Sequence, residues 1–385
     1  MHSPWYGPAP IEGGPLSRPD CAKGGVKSSR NQITYVGSGA GRPLSLAIGP
    51  VYHGNVVYGA AKWNSRSGNY PKVSRPSIIY VGAPEGFEAL VETASNADCV
   101  HVAAEHDTLS EALKGADGLL DASMKVRIDD AMIAAAPNLQ VISCATTGSD
   151  HIARGEIGSR GINVHTLRED GDLLAGITPA AELSWALVLA CARRLPAAAA
   201  HTKSGQWVRE EFPGTMLNGR ALGLVGCGRL GQWMSRYGAA FGMRVLGHDP
   251  YMDPWPDGIE KMELADMMAQ ADVVSVHVHL SEETTGLLSP ELLANIKPGA
   301  IVINTSRGAI IDEAALLAGL ESGRIGAAGL DVLDGEPEVD QHPLIVYSRN
   351  HDNLIVTPHI GGFSPDAVRV VCRRAAEKIM AKLGL

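Results

Sequence analysis

Three glycines and an acid at fixed distances carry the first chemical signal in this chain of 385 residues. The apolar run Leu222-Gly223-Leu224-Val225 opens into Gly226-Cys227-Gly228-Arg229-Leu230-Gly231, a G-x-G-x-x-G pattern. A second apolar run, Met243 to His248, ends on Asp249, eighteen residues past Gly231. In such a pattern the first glycine turns tightly out of a strand, and the second lets backbone N–H groups approach a pyrophosphate. The third lets a helix pack against the strand. The helix N-terminus offers unpaired N–H groups and the positive end of a dipole to the phosphates. Asp249 can accept hydrogen bonds from both ribose hydroxyls, and a 2′-phosphate placed there would meet its charge. The pattern therefore points to NAD rather than NADP. The bland reading is a set of turn and packing glycines; the acid at the next strand end argues against it.

Three further segments hold residues able to move a proton or clamp an anion. Ile303-Asn304-Thr305-Ser306-Arg307-Gly308 follows an apolar run and sets an Arg where it can hold a carboxylate bidentately. Gly329-Leu330-Asp331-Val332-Leu333-Asp334-Gly335-Glu336-Pro337 is rich in acids, and Ile355-Val356-Thr357-Pro358-His359-Ile360-Gly361-Gly362 carries a histidine. Taken singly, each has an ordinary explanation. Arg307 reads as a surface residue, the second segment as an acidic turn, and His359 as one of thirteen histidines.

These segments need a scaffold that brings strand ends together. From Ser77 onward, strand and helix patterns alternate, which predicts parallel α/β structure. Strands are expected at Ser77–Val81, Cys99–Ala103, Gly118–Leu120, Leu139–Cys144 and Ile162–His165. Helices are expected at Glu85–Thr93, Leu109–Gly115 and Asp129–Ala136. A long helix, Pro179–Arg194, reads as a crossing into a second domain. Six more strands are expected there, at Ala221–Val225, Met243–His248, Val273–Val278, Ala300–Asn304, Ala327–Val332 and Leu354–Thr357. A closing helix, Pro365–Ala381, is expected to pack back on the first domain. The resulting division is residues 1–75, 76–176, 177–362 and 363–385.

Residues 1–75 stand apart. They hold nine basic and two acidic residues, while the whole chain carries a net charge of −9. Gly, Pro and Ser fill 29 of those 75 positions, and only short β-like runs occur (Ile33–Val36, Asn55–Tyr58). The expectation is a flexible extension. An acidic chain is a poor match for nucleic acid, whose phosphates demand a basic face. The six cysteines are scattered, with no C-x-x-C, and read as buried thiols rather than disulfides or metal ligands. No charged segment followed by an apolar run opens the chain, and the apolar stretch Leu183–Ala192 is too short to span a bilayer. The expectation is a cytoplasmic protein without membrane or metal.

Taken together, the strand-end segments resemble the D-isomer-specific 2-hydroxyacid dehydrogenases over roughly Pro76 to Ala381. The resemblance implies two doubly wound parallel-sheet α/β domains, with a Rossmann NAD-binding domain inserted into a flavodoxin-like substrate domain. The family's Arg, Glu and His fall on Arg307, Glu336 and His359. Its glycine loop and acid fall on Gly226, Gly228, Gly231 and Asp249, with Arg229 and Leu230 between them. Thr305, Ser306, Asp331 and Gly361 are assigned to the cofactor, Asp331 as the acid facing the nicotinamide. Its substrate loop resembles Thr146-Thr147-Gly148-Ser149-Asp150-His151-Ile152, so Thr146, Thr147 and Gly148 join Arg307 as substrate ligands. Most members are homodimers.

The implied reaction suits these side chains. Arg307 would hold the carboxylate of a 2-hydroxy acid, and His359 would take the hydroxyl proton and return it. Glu336 would orient the imidazole. Three positions depart from the family: His279 stands for a Pro, Glu182-Leu183 for Glu-His, and Ser149 for Tyr or Val. Formate dehydrogenases carry Gln where this chain has Glu336, which disfavours that branch. Nucleotide-sensing corepressors of this family keep the triad and form the non-enzymatic alternative. Phosphoglycerate dehydrogenases often place an Arg where this chain has Asp121, although Lys125 and Val126 are kept. A like charge within a few ångströms costs ~4 kcal/mol at an effective dielectric of 20. The expected substrate is thus a small unphosphorylated 2-oxo acid such as hydroxypyruvate or glyoxylate.

Overall fold

The computed structural model describes residues 75–385, so the extension expected over 1–75 lies outside the described residues except for Arg75. The first sheet is built from β1 (Ser77–Val81), β2 (Asp98–Val102), β3 (Gly118–Asp121), β4 (Val141–Cys144) and β5 (Asn163–His165). Between them lie α1 (Pro84–Thr93), α2 (His106–Leu113), α3 (Asp130–Ala134) and α4 (Gly155–Arg160). The strand order is β2-β1-β3-β4-β5 with every pair parallel, the flavodoxin-like arrangement.

Two helices, α5 (Gly171–Ala175) and α6 (Pro179–Arg193), then cross, and α7 (Leu195–Lys203) follows. The second sheet holds β6 (Ala221–Val225), β7 (Arg244–His248), β8 (Glu260–Lys261), β9 (Val273–Val276), β10 (Ala300–Asn304), β11 (Ile325–Leu330) and β12 (Leu354–Val356). Its helices are α8 (Arg229–Ala240), α9 (Leu264–Gln270), α10 (Pro290–Ala294), α11 (Glu313–Glu321) and α12 (Pro343–Ser348). The strand order is β12-β11-β10-β9-β6-β7-β8. The direction of winding reverses between β6 and β9, and a crevice opens there at the carboxyl ends of the strands. The helix α13 (Pro365–Leu383) closes the fold.

Seven strands form this sheet, where six were expected. The extra one, β8, is two residues long and pairs with β7 at Leu246 and Gly247. Two residues are too few for a hydrophobic period to register. Several ends also move. β9 stops at Val276, and β11 runs over Ile325–Leu330 rather than Ala327–Val332. A Cβ on Gly326 would lie 2.6 Å from the Gly299 carbonyl oxygen, so glycine marks a close backbone approach near the start of β11. α2 starts at His106, three residues ahead of the expected Leu109.

Gly171 to Arg193 extends the apolar stretch Leu183–Ala192, with an 18-residue window of mean hydropathy 1.6. Residues Gly176–Thr178 break it into α5 and α6. α6 lies flat on the second sheet, where a Cβ on Gly329 would meet the Leu187 Cβ at 2.9 Å. α13 packs on α1, with Cys372, Ala375, Ala376 and Ile379 fully buried against Ile78, Tyr80 and Leu120 of the first sheet. Asp170, just ahead of α5, ties this helix down: its carboxylate accepts from Arg374 Nε at 2.6 Å and from Lys378 Nζ. Cys144, Cys191, Cys227 and Cys372 are buried free thiols and Cys99 is half-buried; Cys21 lies outside the described residues.

Candidate active site

The glycine loop sits at the end of β6. Gly226 adopts a positive φ of 94°, and a Cβ there would lie 2.7 Å from the His277 carbonyl oxygen. A Cβ on Gly231 would lie 2.3 Å from the Gly226 carbonyl oxygen, so α8 packs too closely on the turn for any other residue. Gly228 caps α8, and a Cβ there would meet no atom within 4 Å because it faces the crevice. This leaves the N-terminal N–H groups of α8 open to a phosphate.

Asp249 follows β7. Its Oδ2 accepts from the Cys227 N–H at 2.9 Å and its Oδ1 from the Tyr251 N–H at 3.0 Å. The acid therefore braces the glycine loop, while its remaining lone pairs are available to a ribose. Burial pushes the Cys227 thiol up to about 12, which keeps it neutral. Arg229 turns away from the phosphate position: its guanidinium donates to the Ile177 carbonyl, ahead of α6. Leu230 lines the crevice. These residues fit a dinucleotide: Gly228 and the N-terminus of α8 would hold its pyrophosphate, and Asp249 its adenosine ribose.

One cleft of about 2700 Å³ gathers the glycine loop, Asp249, Arg307, Asp331, Glu336 and His359 with the loop Thr146–Asp150. Arg307 leaves the end of β10 in extended backbone. Asn304 shapes that exit, accepting from the Ser306 N–H at 3.0 Å and donating to the Arg307 carbonyl at 2.8 Å. Ser306 donates to the Val276 carbonyl at 2.9 Å. Thr305 pairs with Ser184 of α6 at 2.7 Å, and Ser184 donates to the Ala180 carbonyl. The two side chains expected at the cofactor thus fasten the end of β10, Ser306 to β9 and Thr305 to α6.

Arg307 Nη2 lies 2.8 Å from where a Cβ of Gly148 would be, so any larger residue there would have to displace the guanidinium. Its Nε and Nη2 stand 3.4 and 3.5 Å from the Asp150 carboxylate. Burial raises the proton affinity of Asp150, but the Arg307 charge and the hydrogen bonds to the carboxylate together outweigh it and hold the carboxyl below the usual range. Sequence reading passed over Asp150 as a partner of Arg307, because the two are 157 residues apart. Thr146 donates to the Gly148 carbonyl at 2.9 Å and so holds the loop's shape, while Thr147 lines the cleft.

The acid–base pair comes from two loops. Glu336 lies in the loop after β11 and accepts from His359 Nδ1 at 2.6 Å. An ionised carboxylate only accepts, so Nδ1 carries the proton, and Nε2 has no partner among the described residues. Both side chains are about one-third exposed, His359 at 39% and Glu336 at 31%. His359 sits at a positive φ of 53°. Asp331, 1% exposed, holds that turn. Its Oδ1 accepts from Thr357 Oγ1 at 2.5 Å and the Ile360 N–H at 2.9 Å, and its Oδ2 from the Gly361 N–H at 2.7 Å. Burial lifts its carboxyl above the ordinary value, opposed by those hydrogen bonds. Its carboxylate is thus committed to the histidine turn, a role the sequence did not suggest.

Asp121 corrects an expectation. Its carboxylate does not face the cleft and is 2% exposed. Oδ1 accepts from the Ser123 and Met124 N–H groups at 2.8 and 3.2 Å, and Oδ2 pairs with His151 Nε2 at 2.6 Å. The side chain points back into the end of β3, so its charge offers no argument against a phosphorylated substrate. Lys125, by contrast, is exposed and lines the cleft. His279, where the family often has Pro, also lines it. Desolvation, then the charges of Arg168 and Arg307, hold its imidazole below the ordinary value.

Residues 78–169 match the model of the D-isomer specific 2-hydroxyacid dehydrogenase catalytic domain, and residues 185–361 match that of the NAD binding domain. The chain is 39% identical over 266 residues to D-3-phosphoglycerate dehydrogenase of Mycobacterium tuberculosis, covering 68% of this chain and 48% of that protein. It therefore spans about half the length of the phosphoglycerate dehydrogenases it matches. It is 35% identical over 311 residues to hydroxypyruvate reductase of Thermotoga maritima, covering 80% of this chain and 98% of that protein. Among solved structures, the TT0316 protein from Thermus thermophilus superposes with a TM-score of 0.70 at 34% identity, covering 80% of this chain and 97% of that one.

Proposed function

We propose, for a chain that belongs to the D-isomer specific 2-hydroxyacid dehydrogenase family, NAD-dependent interconversion of a small D-2-hydroxy acid and its 2-oxo acid. The observation that carries this reading is the meeting of Arg307, Glu336 and His359 in one cleft with the glycine loop and Asp249. When bound, the nicotinamide supplies or accepts the hydride at C2. Arg307 clamps the carboxylate and thereby fixes which face of C2 is presented. In reduction, His359 gives the proton held at Nε2 to the carbonyl oxygen; in oxidation, Nε2 takes it back. Glu336 accepts from Nδ1–H and so fixes the tautomer and the orientation of the ring.

Within this family the reading favours hydroxypyruvate or glyoxylate. Support comes from the similarity to a hydroxypyruvate reductase along nearly its whole length. A second reading, oxidation of D-3-phosphoglycerate, gains from the burial of Asp121 and the presence of Lys125 on the cleft. NADH oxidation with glyoxylate, hydroxypyruvate, pyruvate and phosphohydroxypyruvate decides between them by kcat/KM. A clear preference for phosphohydroxypyruvate overturns the first reading, and no turnover with any of the four overturns both. A cytoplasmic homodimer acting on small molecules, not on nucleic acid or membrane, completes the proposal. The net charge of −9 supports the exclusion of nucleic acid.

A further inference from the structure

A further histidine–carboxylate pair, besides Glu336–His359 and Asp121–His151, is formed by Glu313 and His342. Glu313 occupies the first turn of α11, where Asp312 caps the helix by accepting from the Ala315 N–H at 2.8 Å. Glu313 Oε2 accepts from His342 Nε2 at 2.9 Å, and both side chains are 15% exposed. His342 Nδ1 accepts from the Leu344 N–H at 3.3 Å, which leaves the proton on Nε2 and makes His342 a donor to Glu313. Glu313 Oε1 accepts the N–H of Asp334 at 3.0 Å. Asp334 is two residues before Glu336, in the loop that presents that acid to His359.

The same loop is pressed against the backbone beside Arg307. A Cβ on Gly308 would lie 2.1 Å from both the Asp334 nitrogen and the Leu333 carbonyl carbon. Gly335, the one residue between Asp334 and Glu336, has a positive φ of 81°. A turn built on glycine is free to rotate unless something outside it fixes the peptide before it. Glu313 supplies that fixed point from a capped helix, five residues after the start of the Gly308 turn.

We propose that Glu313, itself held by His342, is a positioning residue that fixes the loop Leu333–Glu336 so that the Glu336 carboxylate meets His359 Nδ1. Glu313 touches neither the cleft nor the reacting atoms; it acts through the Asp334 N–H. The catalytic consequence rests on the proton-transfer reading above, whereas the positioning itself does not.

The test uses the full-length chain as wild type, Glu313→Ala, Glu313→Gln, Glu336→Ala and the double variant Glu313→Ala/Glu336→Ala. Hydrogen exchange is followed in the peptide spanning residues 330–338. Opening of the loop in Glu313→Ala raises exchange there about tenfold with β6 and β10 unchanged. Glu313→Gln keeps a carbonyl for the Asp334 N–H but sets its amide N–H2 against the His342 Nε2–H, so exchange there rises less than in Glu313→Ala. Turnover of the best 2-oxo acid falls about 10²-fold in Glu313→Ala, a loss of the size expected from a misplaced catalytic group, with the KM for NADH held. Glu313→Gln loses less than Glu313→Ala, about tenfold, because the acceptor for the Asp334 N–H is kept while the one for His342 is not. In the Glu336→Ala background, Glu313→Ala costs nothing further, because the group it positions is gone. Unchanged loop exchange in Glu313→Ala overturns the proposal. So does an equal loss of turnover with and without Glu336, since that is the mark of general destabilisation. If the wild type reduces none of the 2-oxo acids, the proposed function falls, and the exchange comparison alone decides the positioning.

Discussion

Glu336 Oε1 stands 2.6 Å from His359 Nδ1, yet the two side chains arise from loops after different strands, β11 and β12. The pairing survives only if both loops are rigid. Asp331 secures the histidine side: its carbonyl accepts the His359 N–H at 2.9 Å, and its carboxylate ties Thr357, Ile360 and Gly361. The left-handed backbone at His359 costs on the order of 1–3 kcal/mol, which these bonds offset. The imidazole is thereby aimed by backbone as well as by carboxylate.

Replacing His359 with Ala removes the proton carrier. Turnover of the 2-oxo acid should fall by ~10²–10⁴-fold. NADH affinity should hold, because the glycine loop and Asp249 lie on other strands; fluorescence titration of NADH checks this. Near-normal turnover in the variant excludes His359 from the chemistry.

Arg307→Lys keeps the charge and loses the planar fork. The expected result is a raised KM for the 2-oxo acid together with a lowered kcat, since both binding and orientation depend on two parallel N–H groups. Steady-state kinetics on hydroxypyruvate measure both. Full activity with Lys would mean that the carboxylate is held elsewhere.

Asp249→Ala removes the acceptor for the ribose and the brace of the Cys227 N–H. The KM for NADH should rise and discrimination against NADPH should relax. Asp249→Asn keeps an acceptor for the loop and should separate the two roles. A wild-type preference for NADPH contradicts the assignment of this acid.

Asp170 makes stability depend on pH. Burial alone would raise its proton affinity, but the hydrogen bonds from Lys378 and Arg374 outweigh that and hold its carboxyl below the usual value. A depressed folded-state value means the stabilisation is present above the unfolded-state value near ~4 and is lost as pH falls through the folded one. Asp170→Asn should lower stability at neutral pH by about 1.5–3 kcal/mol. It should also flatten the acid limb of Tm against pH. An unchanged acid limb means that the latch contributes nothing measurable.

The glycine loop, the three strand-end segments and both parallel sheets were legible in the sequence because each rests on a local signal. Gly226 needs a positive φ, Gly231 needs contact with a backbone oxygen, and the strands are apolar runs of ordinary length. What stayed hidden depends on direction or distance. Asp121 ends a strand buried at all four positions, so no alternation tells which way its carboxylate points; its partner His151 is 30 residues on. Asp331 read as an acid facing the cofactor, because a carboxylate committed to backbone N–H groups looks the same in sequence as a free one. Arg229 belongs to the motif by position, but its guanidinium leaves the site for Ile177. β8 was missed for its length, and α5 because Gly176 interrupts the apolar segment.

The core of the first sheet joins residues from both ends of the described chain: Tyr80 and Cys372, 292 positions apart, belong to one buried cluster. On a ribosome, β1 to β5 emerge well before α13 exists, leaving Ile78, Tyr80, Leu120 and Val141 without their cover. The second sheet, contiguous in sequence, has all its strands available as soon as β12 is made. Its assembly can therefore precede completion of the first, and the first sheet waits as a partly open, sticky intermediate until the chain returns. Refolding of the isolated span 76–176 should accordingly yield a collapsed state with exposed apolar surface, and a separately supplied α13 peptide is the natural agent to close it.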